Sequence, residues 1–210
     1  MKTEDFINNI RVLSDDNLHI KMYQIDDQVK VYGRFLERMF WMSDAPLKHG
    51  WLEQLYRYSN GLDLSTYYIV PYNNFFNKKK FSFDDFCNEW IVNQDNSNEV
   101  LCDFYSFMTD GVSLIGYLEN LKDNQGDNFI GFSSESKNIK DVDIIFSNIY
   151  SLYDYVIGSL KEDKRLNFFK PIEFWRERDI ELDSAYKDKR IIDYKMRFLF
   201  QDGSVNFNNH

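Results

Sequence analysis

Few residues in this chain have the type and spacing to do chemistry. A nucleophilic triad needs a histidine beside a serine or cysteine. The histidines are His19, His49 and His210, and none lies in a recognisable motif. Asp141-Val142-Asp143 is a D-x-D pair of the kind that holds a metal-bound phosphate, a pattern also common by chance. Asp110 followed by Glu135-Ser136-Lys137 has the form of a magnesium-dependent nuclease site, in which an Asp and an E-x-K bind metal and activate water. Its context is poor, because Ser133-Ser134-Glu135-Ser136 reads as a loop. Asp123 to Asn128 has a superficial likeness to a calcium loop. Its glycine, Gly126, falls too early and the closing Glu is missing, so a polar turn is the better reading. Cys87 and Cys102 form no C-x-x-C pair and sit in apolar sequence, which points to buried thiols rather than zinc or redox chemistry. Gly158-Ser159-Leu160-Lys161 follows helical sequence and matches no phosphate loop. No catalytic residue, metal site or cofactor is therefore expected, and a binding role is favoured over catalysis.

The composition agrees with binding. At 210 residues the chain fits one domain, and 43% hydrophobic content, with fourteen Tyr and nineteen Phe, is ample for one ring-rich core. The net charge of -9 repels a phosphate backbone and favours a basic protein partner, although it also serves plain solubility. Met1-Lys2-Thr3-Glu4-Asp5 has no signal-peptide character, and no apolar run approaches a membrane span, so the cytoplasm is the expected location. The scarcity of alanine (Ala45 and Ala185) beside abundant Asn, Asp, Lys, Ile and Phe suggests an AT-rich bacterial genome.

The elements that must position these residues can be read in order. Thr3 is placed to cap a helix carrying Phe6, Ile7, Ile10 and Leu13, ending at Ser14 to Asn17. Strand-like runs Leu18 to Ile25 and Gln28 to Tyr32 flank a turn at Asp26-Asp27. Pro46 opens a helix with Leu47, Trp51, Leu52, Leu55 and Tyr58, closed by Asn60-Gly61. Leu64 to Val70 reads as one strand ending at Pro71. Lys78 to Lys80 reads as a solvated loop, and Ser82 caps a helix with Phe86, Cys87 and Trp90 inward. Val100 to Met108 and Val112 to Glu119 flank Thr109-Asp110-Gly111, a hairpin signature in which Asp-Gly accepts positive φ. Phe129 to Phe132 and Ile144 to Phe146 are short strands. Ser147 or Ser151 caps a helix through Leu160, with Tyr150, Tyr153, Ile157 and Leu160 on one side. A helix from Pro171 with Ile172, Trp175 and Ile180, and another over Ile191 to Phe200, form a C-terminal extension; Gly203 to His210 reads as frayed. The order is that of an α+β fold rather than a regular βαβ alternation.

Several segments occur in the order found in one known superfamily. Leu52-Glu53-Gln54-Leu55-Tyr56-Arg57-Tyr58-Ser59-Asn60-Gly61 resembles a family helix closing in Asn-Gly. Tyr68-Ile69-Val70-Pro71, the helix Phe83 to Val92, and the hairpin Phe104 to Gly111 continuing to Ile115-Gly116-Tyr117 follow it, and Ile149 to Val156 resembles the closing sheet-to-helix segment. Over residues 45 to 163 the chain resembles the SUKH superfamily of bacterial immunity proteins and cell-wall assembly regulators. It departs at Ala45-Pro46-Leu47, where the family has Leu-Pro, and in its shorter hairpin turn.

The resemblance implies a twisted antiparallel sheet packed by helices; residues 1–44, an N-terminal helix and hairpin, and residues 164–210, a helical C-terminal extension, lie outside it and read from their own pattern as parts of the same single domain. It also implies an immunity-type protein that neutralises a toxin by stoichiometric binding. The partner would be a basic toxin domain, with no nucleic acid, membrane or cofactor bound directly. The expected partner-binding positions are the hairpin's polar face and nearby acids: Asp103, Tyr105, Asp110, Tyr117 and Glu119. Alternation puts Asp103 with Tyr105, and Tyr117 with Glu119, on shared strand faces. A regulatory scaffold module with an endogenous partner, and the metal-dependent nuclease, are the alternatives.

Overall fold

The computed structural model describes residues 1–16, 19–23, 50–59, 61–69, 104–110, 112–134 and 142–201. The expected turn at Asp26-Asp27, the helix after Ser82, both cysteines, Asp103, the E-x-K segment and the C-terminal residues 202–210 lie outside them. So do the Asp141 half of the D-x-D pair, His49 and His210.

The described elements are mixed α+β, as expected. Helix α1 (Thr3–Asp16) leads into β1 (Ile20–Met22); α2 (Gly50–Tyr58) precedes β2 (Leu62–Leu64) and β3 (Tyr68–Ile69). Strands β4 (Phe104–Thr109), β5 (Ser113–Lys122), β6 (Asn128–Ser134) and β7 (Asp143–Phe146) follow. Helices α3 (Ile149–Lys161), α4 (Ile172–Arg176), α5 (Ile180–Lys187) and α6 (Arg190–Gln201) complete the chain. The strands form one antiparallel, open, seven-stranded sheet in chain order, each pairing with its neighbour.

Local chemistry sets these elements, in places differently from the sequence expectation. Phe6, Ile7 and Ile10 bury the inner stripe of α1, and Phe6 stacks on Tyr153 of α3 at 4.0 Å. Thr3 is buried inside the first turn with no hydrogen-bond partner for its hydroxyl, so it is not the cap; the Lys2 carbonyl accepts the first helical bond, from Phe6. Helix α2 ends as expected, with Gly61 at φ 93°, where a side chain would be strained. The Ser59 hydroxyl, fully buried, lies 2.6 Å from the Gly61 carbonyl and 2.9 Å from that of Tyr23, tying the helix end to the strand β1 edge.

The single strand expected over Leu64 to Val70 is instead a tight hairpin, β2 to β3. Leu64 and Tyr67 close a two-residue loop through the Leu64 N–H and Tyr67 carbonyl at 2.8 Å, and Leu62 pairs with Ile69. Ser65 carries the turn at φ 74°, held by its N–H donating to the Asp63 carboxylate. A positive φ at the first loop position is where glycine is favoured. Ser65→Gly should therefore raise the unfolding free energy by about 0.5–1 kcal/mol, read from the urea midpoint. An unchanged or lowered midpoint would show that the serine relieves its own strain.

The sheet is buried on both faces at its centre. From Ser113 to Leu118 every residue of β5 is buried. One face carries Met108, Ile115 and Phe132 in one register row and Tyr117, Ile130 and Phe146 in the next. Trp51 of α2 packs edge-on against Tyr117 and Phe107. Phe168 meets Tyr67, Phe132 and Phe146 from the extended strap between α3 and α4. On the other face a Cβ at Gly131 would come within 2.5 Å of Val142 Cγ1, and Phe104 and Leu118 crowd the same point. Only glycine allows that approach.

The C-terminal helices complete the core rather than hang from it. Trp175, Leu182, Ala185, Ile191 and Tyr194 are all buried. Pro171 starts α4 as expected, but that helix is short, and Ile180 begins a new helix with its side chain 86% exposed instead of joining the apolar stripe. The cap of α3 is Asn148, not Ser147 or Ser151: its side chain accepts from the Tyr150 and Ser151 N–H groups. The buried stripe of α3 is Ile149, Leu152, Tyr153, Val156 and Ile157, with Tyr150 and Leu160 only partly covered.

Candidate functional site

The β4–β5 hairpin is where sequence and resemblance placed the partner-binding positions. Its register differs from a two-residue Asp-Gly turn. Thr109 pairs with Leu114, leaving a four-residue loop. Asp110 stabilises it through its side chain, one carboxylate oxygen accepting from the Val112 N–H at 2.9 Å and the Ser113 N–H at 2.7 Å. The Thr109 hydroxyl donates to the Ser113 carbonyl at 2.7 Å. Asp110 is thus a turn carboxylate, half-buried at the hairpin end. The partners it would need in the nuclease reading, Glu135 and Lys137, lie outside the described residues.

Tyr117 is not on an exposed polar face. It is 2% exposed, packed under Trp51, and burial pushes its phenol well above the usual tyrosine range. Glu119 does not share a strand face with it in the simple way alternation implies. Between the pairs Tyr117–Ile130 and Lys122–Asn128, residues 118–121 of β5 stand against Phe129 alone, a bulge that breaks the period of two. Asn128 holds the bulge, its amide donating to the Leu118 and Glu119 carbonyls. Glu119 is left half-buried at the rim. Tyr105 stands in β4 opposite Tyr117 in register, and Asp103 lies outside the described residues. The structure therefore brings Tyr105, Tyr117 and Glu119 to one end of the hairpin and places Asp110 at the other.

Beneath the hairpin end, Tyr67 and Ser113 share a buried hydroxyl pair at 3.2 Å. Burial, with the Asp110 charge adding to it, pushes the Tyr67 phenol up to about 12. The folded state thus holds the proton more tightly than the unfolded chain, whose tyrosines ionise near pH ~10. The stability this group contributes is fully present below that pH and is lost as pH rises towards about 12. Ultraviolet titration of phenolate should show Tyr67 ionising late, and Tyr67→Phe should flatten the alkaline fall in stability. An identical fall in the variant would exclude this linkage.

Sequence reasoning missed a second polar concentration, where the β5–β6 turn, the β7–α3 junction and the start of α5 meet. The stretch Asp123 to Asn128 is a polar turn, as read. One Asp123 oxygen accepts from the Gln125 and Asp127 N–H groups at 2.8 Å each, and the other accepts from the Asn148 amide at 3.0 Å. Burial and the neighbouring Asp123 raise the Asp127 carboxyl. Asn148 also reaches the Ser147 hydroxyl, and that hydroxyl and the Ser147 N–H both donate to one oxygen of Asp179 at 2.8 Å. The other Asp179 oxygen caps α5 by accepting from the Leu182 N–H. Asn124 and Arg190 both donate to Glu181 beside it. Every carboxylate oxygen of Asp123 and Asp179 is engaged by the chain itself, so this network fastens elements together. The available signal was Asp179 immediately before an apolar-periodic segment, which marks a helix N-cap.

Next to this network a cleft opens between α3 and the α4–α5 junction, lined by Ser151, Asp154 and Tyr155 on one side and Trp175, Arg178 and Asp179 on the other, with Phe146 beneath. Among the described residues no three His, Cys, Asp or Glu side chains are grouped so as to hold a metal ion. No described helix is long and apolar enough to cross a membrane. No protein-family model, no curated protein and no solved structure matches the chain.

Proposed function

We propose that this protein is an immunity-type binding protein of the SUKH kind, which neutralises a toxin by occluding it in a stoichiometric complex. The observation that carries the reading is the order of segments: a helix closed at Gly61, strand β3, the β4–β5 hairpin, and the β7-to-α3 junction, which is the order in which the resembling segments occur. The net charge of -9 supports a basic partner, since complementary charge speeds association.

Two of the expected positions have other roles in the fold. Tyr117 belongs to the core and Asp110 to its own turn, so both act by shaping the hairpin. Glu119 lies half-buried at the rim, and with Asp103 and Tyr105 it makes up the remaining proposed contact set.

The test is co-expression with each neighbouring reading frame of the native locus, scoring growth and co-purification. A neighbour that is toxic alone, is silenced by this chain and co-purifies with it supports the proposal. The doubly reversed variant Asp103→Lys/Glu119→Lys should then slow association about tenfold at low salt, with the difference shrinking as salt is added. If no neighbour is toxic or bound, the immunity reading fails and a scaffold module for an endogenous partner takes its place.

A further inference from the structure

The cleft beside the Asp179 network has a chemistry that neither the fold nor the proposed partner interface requires. Three of its groups are charged, and two of these are already satisfied. Asp179 accepts from Ser147 and Leu182, as above. Asp154 pairs with the Met1 ammonium at 3.2 Å. The third is Arg178. Its guanidinium lies 3.6 Å from the centroid of the Phe174 ring, with one Nη1 N–H donating to the Phe174 carbonyl at 2.9 Å. Stacked and tied in this way, the planar fork is held in place before any ligand arrives. Among the described residues the acid within ion-pair distance of it is Glu177, 4.0 Å from the same Nη1, while Asp154 and Asp179 line the same cleft. The Nε and Nη2 edges have no hydrogen-bond partner among the described residues.

A second donor belongs to a residue of the same lining. Trp175, 1% exposed, has an indole N–H with no hydrogen-bond partner among the described residues. A buried donor left unpaired is costly, and an acceptor brought to it is correspondingly favoured. Ser151 adds a hydroxyl. The rest of the lining is aromatic: the Trp175 ring packs edge to face with Phe146 and Tyr155 at 4.9 and 5.0 Å, and Phe146 is tilted against Tyr155 at 5.8 Å.

We propose that this cleft binds a small planar carboxylate, its carboxylate on the free edge of Arg178 and its flat apolar body against Tyr155, Phe146 and Trp175. The choice of an anion follows from Arg178 being the uncommitted charge and from the orphan indole donor. The choice of a guanidinium-matched carboxylate follows from the fork geometry. The size follows from the cleft volume of about 250 Å3, which lies below the roughly 300–1,000 Å3 of drug-sized sites and suits a single-ring acid. The site is separate from the hairpin rim, so its test does not depend on finding the protein partner.

The test uses the full chain labelled with 15N, in which the four tryptophans give four indole N–H signals and Trp175→Phe identifies the one that matters. Benzoate is the probe and benzamide its uncharged isostere. The expected result is a saturable shift of the Trp175 indole signal with benzoate at concentrations on the order of 1 mM, a small-fragment affinity. Benzamide should give none. Arg178→Met keeps an unbranched side chain without the guanidinium and should weaken benzoate about tenfold or more, with Arg178→Lys falling between. Arg178 is exposed, so both variants should melt with the wild type. A shift that never saturates, an equal response to benzamide, or an affinity unchanged in Arg178→Met overturns the proposal. So does binding confined to a short peptide ending in a free phenylalanine carboxylate, because the occupant would then be a chain terminus and not a small acid.

Discussion

Trp175→Ala should lower the unfolding free energy by about 3–5 kcal/mol, the largest loss expected from any single truncation in this chain. The reason is the number of segments that one ring joins. It meets Phe146 at the end of β7 (4.9 Å), Tyr155 of α3 (5.0 Å), Phe168 of the strap (6.1 Å, stacked) and Phe174 within α4 (4.9 Å). The strap is held on its other side by Tyr155, whose hydroxyl donates to the Asn167 carbonyl and accepts from the Asn167 N–H. Removing the indole leaves a cavity that these rings cannot all close at once, because each is fixed by a different element. For a chain of this length the loss corresponds to a fall in melting temperature on the order of 10 °C. The measurement is urea unfolding followed by tyrosine fluorescence and by far-ultraviolet dichroism together. Coincident curves with a loss in that range mean that the C-terminal helices and the sheet unfold as one unit. A loss under ~1 kcal/mol, or two separated transitions, would mean that the extension is an appendage after all.

Asp179→Ala should cost about 3 kcal/mol. The substitution removes an N-cap, worth about 1 kcal/mol, and leaves the Ser147 N–H and hydroxyl buried without an acceptor, a further penalty of about 1–3 kcal/mol. Asp179→Asn should cost less, since its amide oxygen can still cap α5, while its NH2 group then meets the Ser147 donors. Because the Ser147 hydroxyl donates to this carboxylate, Ser147→Ala and Asp179→Ala should be non-additive in a double-mutant cycle, with a coupling of at least ~1 kcal/mol. Additive losses would show that the junction is held by packing and that the hydrogen bonds across it are incidental. The two predictions concern the same docking by different physics, one through dispersion and burial, the other through polar satisfaction.

The helices and strands were legible wherever local pattern and local burial agree. The stripe of α1, the C-terminal cap of α2, the short strand β7 and the helix over Arg190–Gln201 follow from periodicity and capping alone. The errors came where the meaning of a residue depends on what lies across from it. Leu64 to Val70 reads as one β-rich run, yet Asp63 offers Ser65 a side-chain acceptor and the chain reverses there. The tyrosine at position 117 looked like the polar member of an alternating strand. Its neighbours Leu114, Ile115 and Leu118 already form a nearly continuous apolar run, which is the mark of a strand covered on both faces, and that signal was available.

What the sequence determined by itself was the α+β class, the ring-rich core, the negative net charge and the identity of most elements, because these depend on composition and on interactions within about one turn or one hairpin. The tertiary structure decided which polar residues are committed and which remain for a partner or ligand. Asp110, Asp123 and Asp179 are alike in sequence, each a carboxylate near a turn or helix start. Asp110 binds the backbone of its own turn, Asp123 divides its oxygens between its own turn and the Asn148 amide, and Asp179 fastens α5 to Ser147, thirty-two residues away in the chain. Arg178 and the Trp175 indole are left with donors unused among the described residues for the same reason. A hydrogen bond needs its two groups within about 3 Å, and only the folded chain fixes which groups come that close.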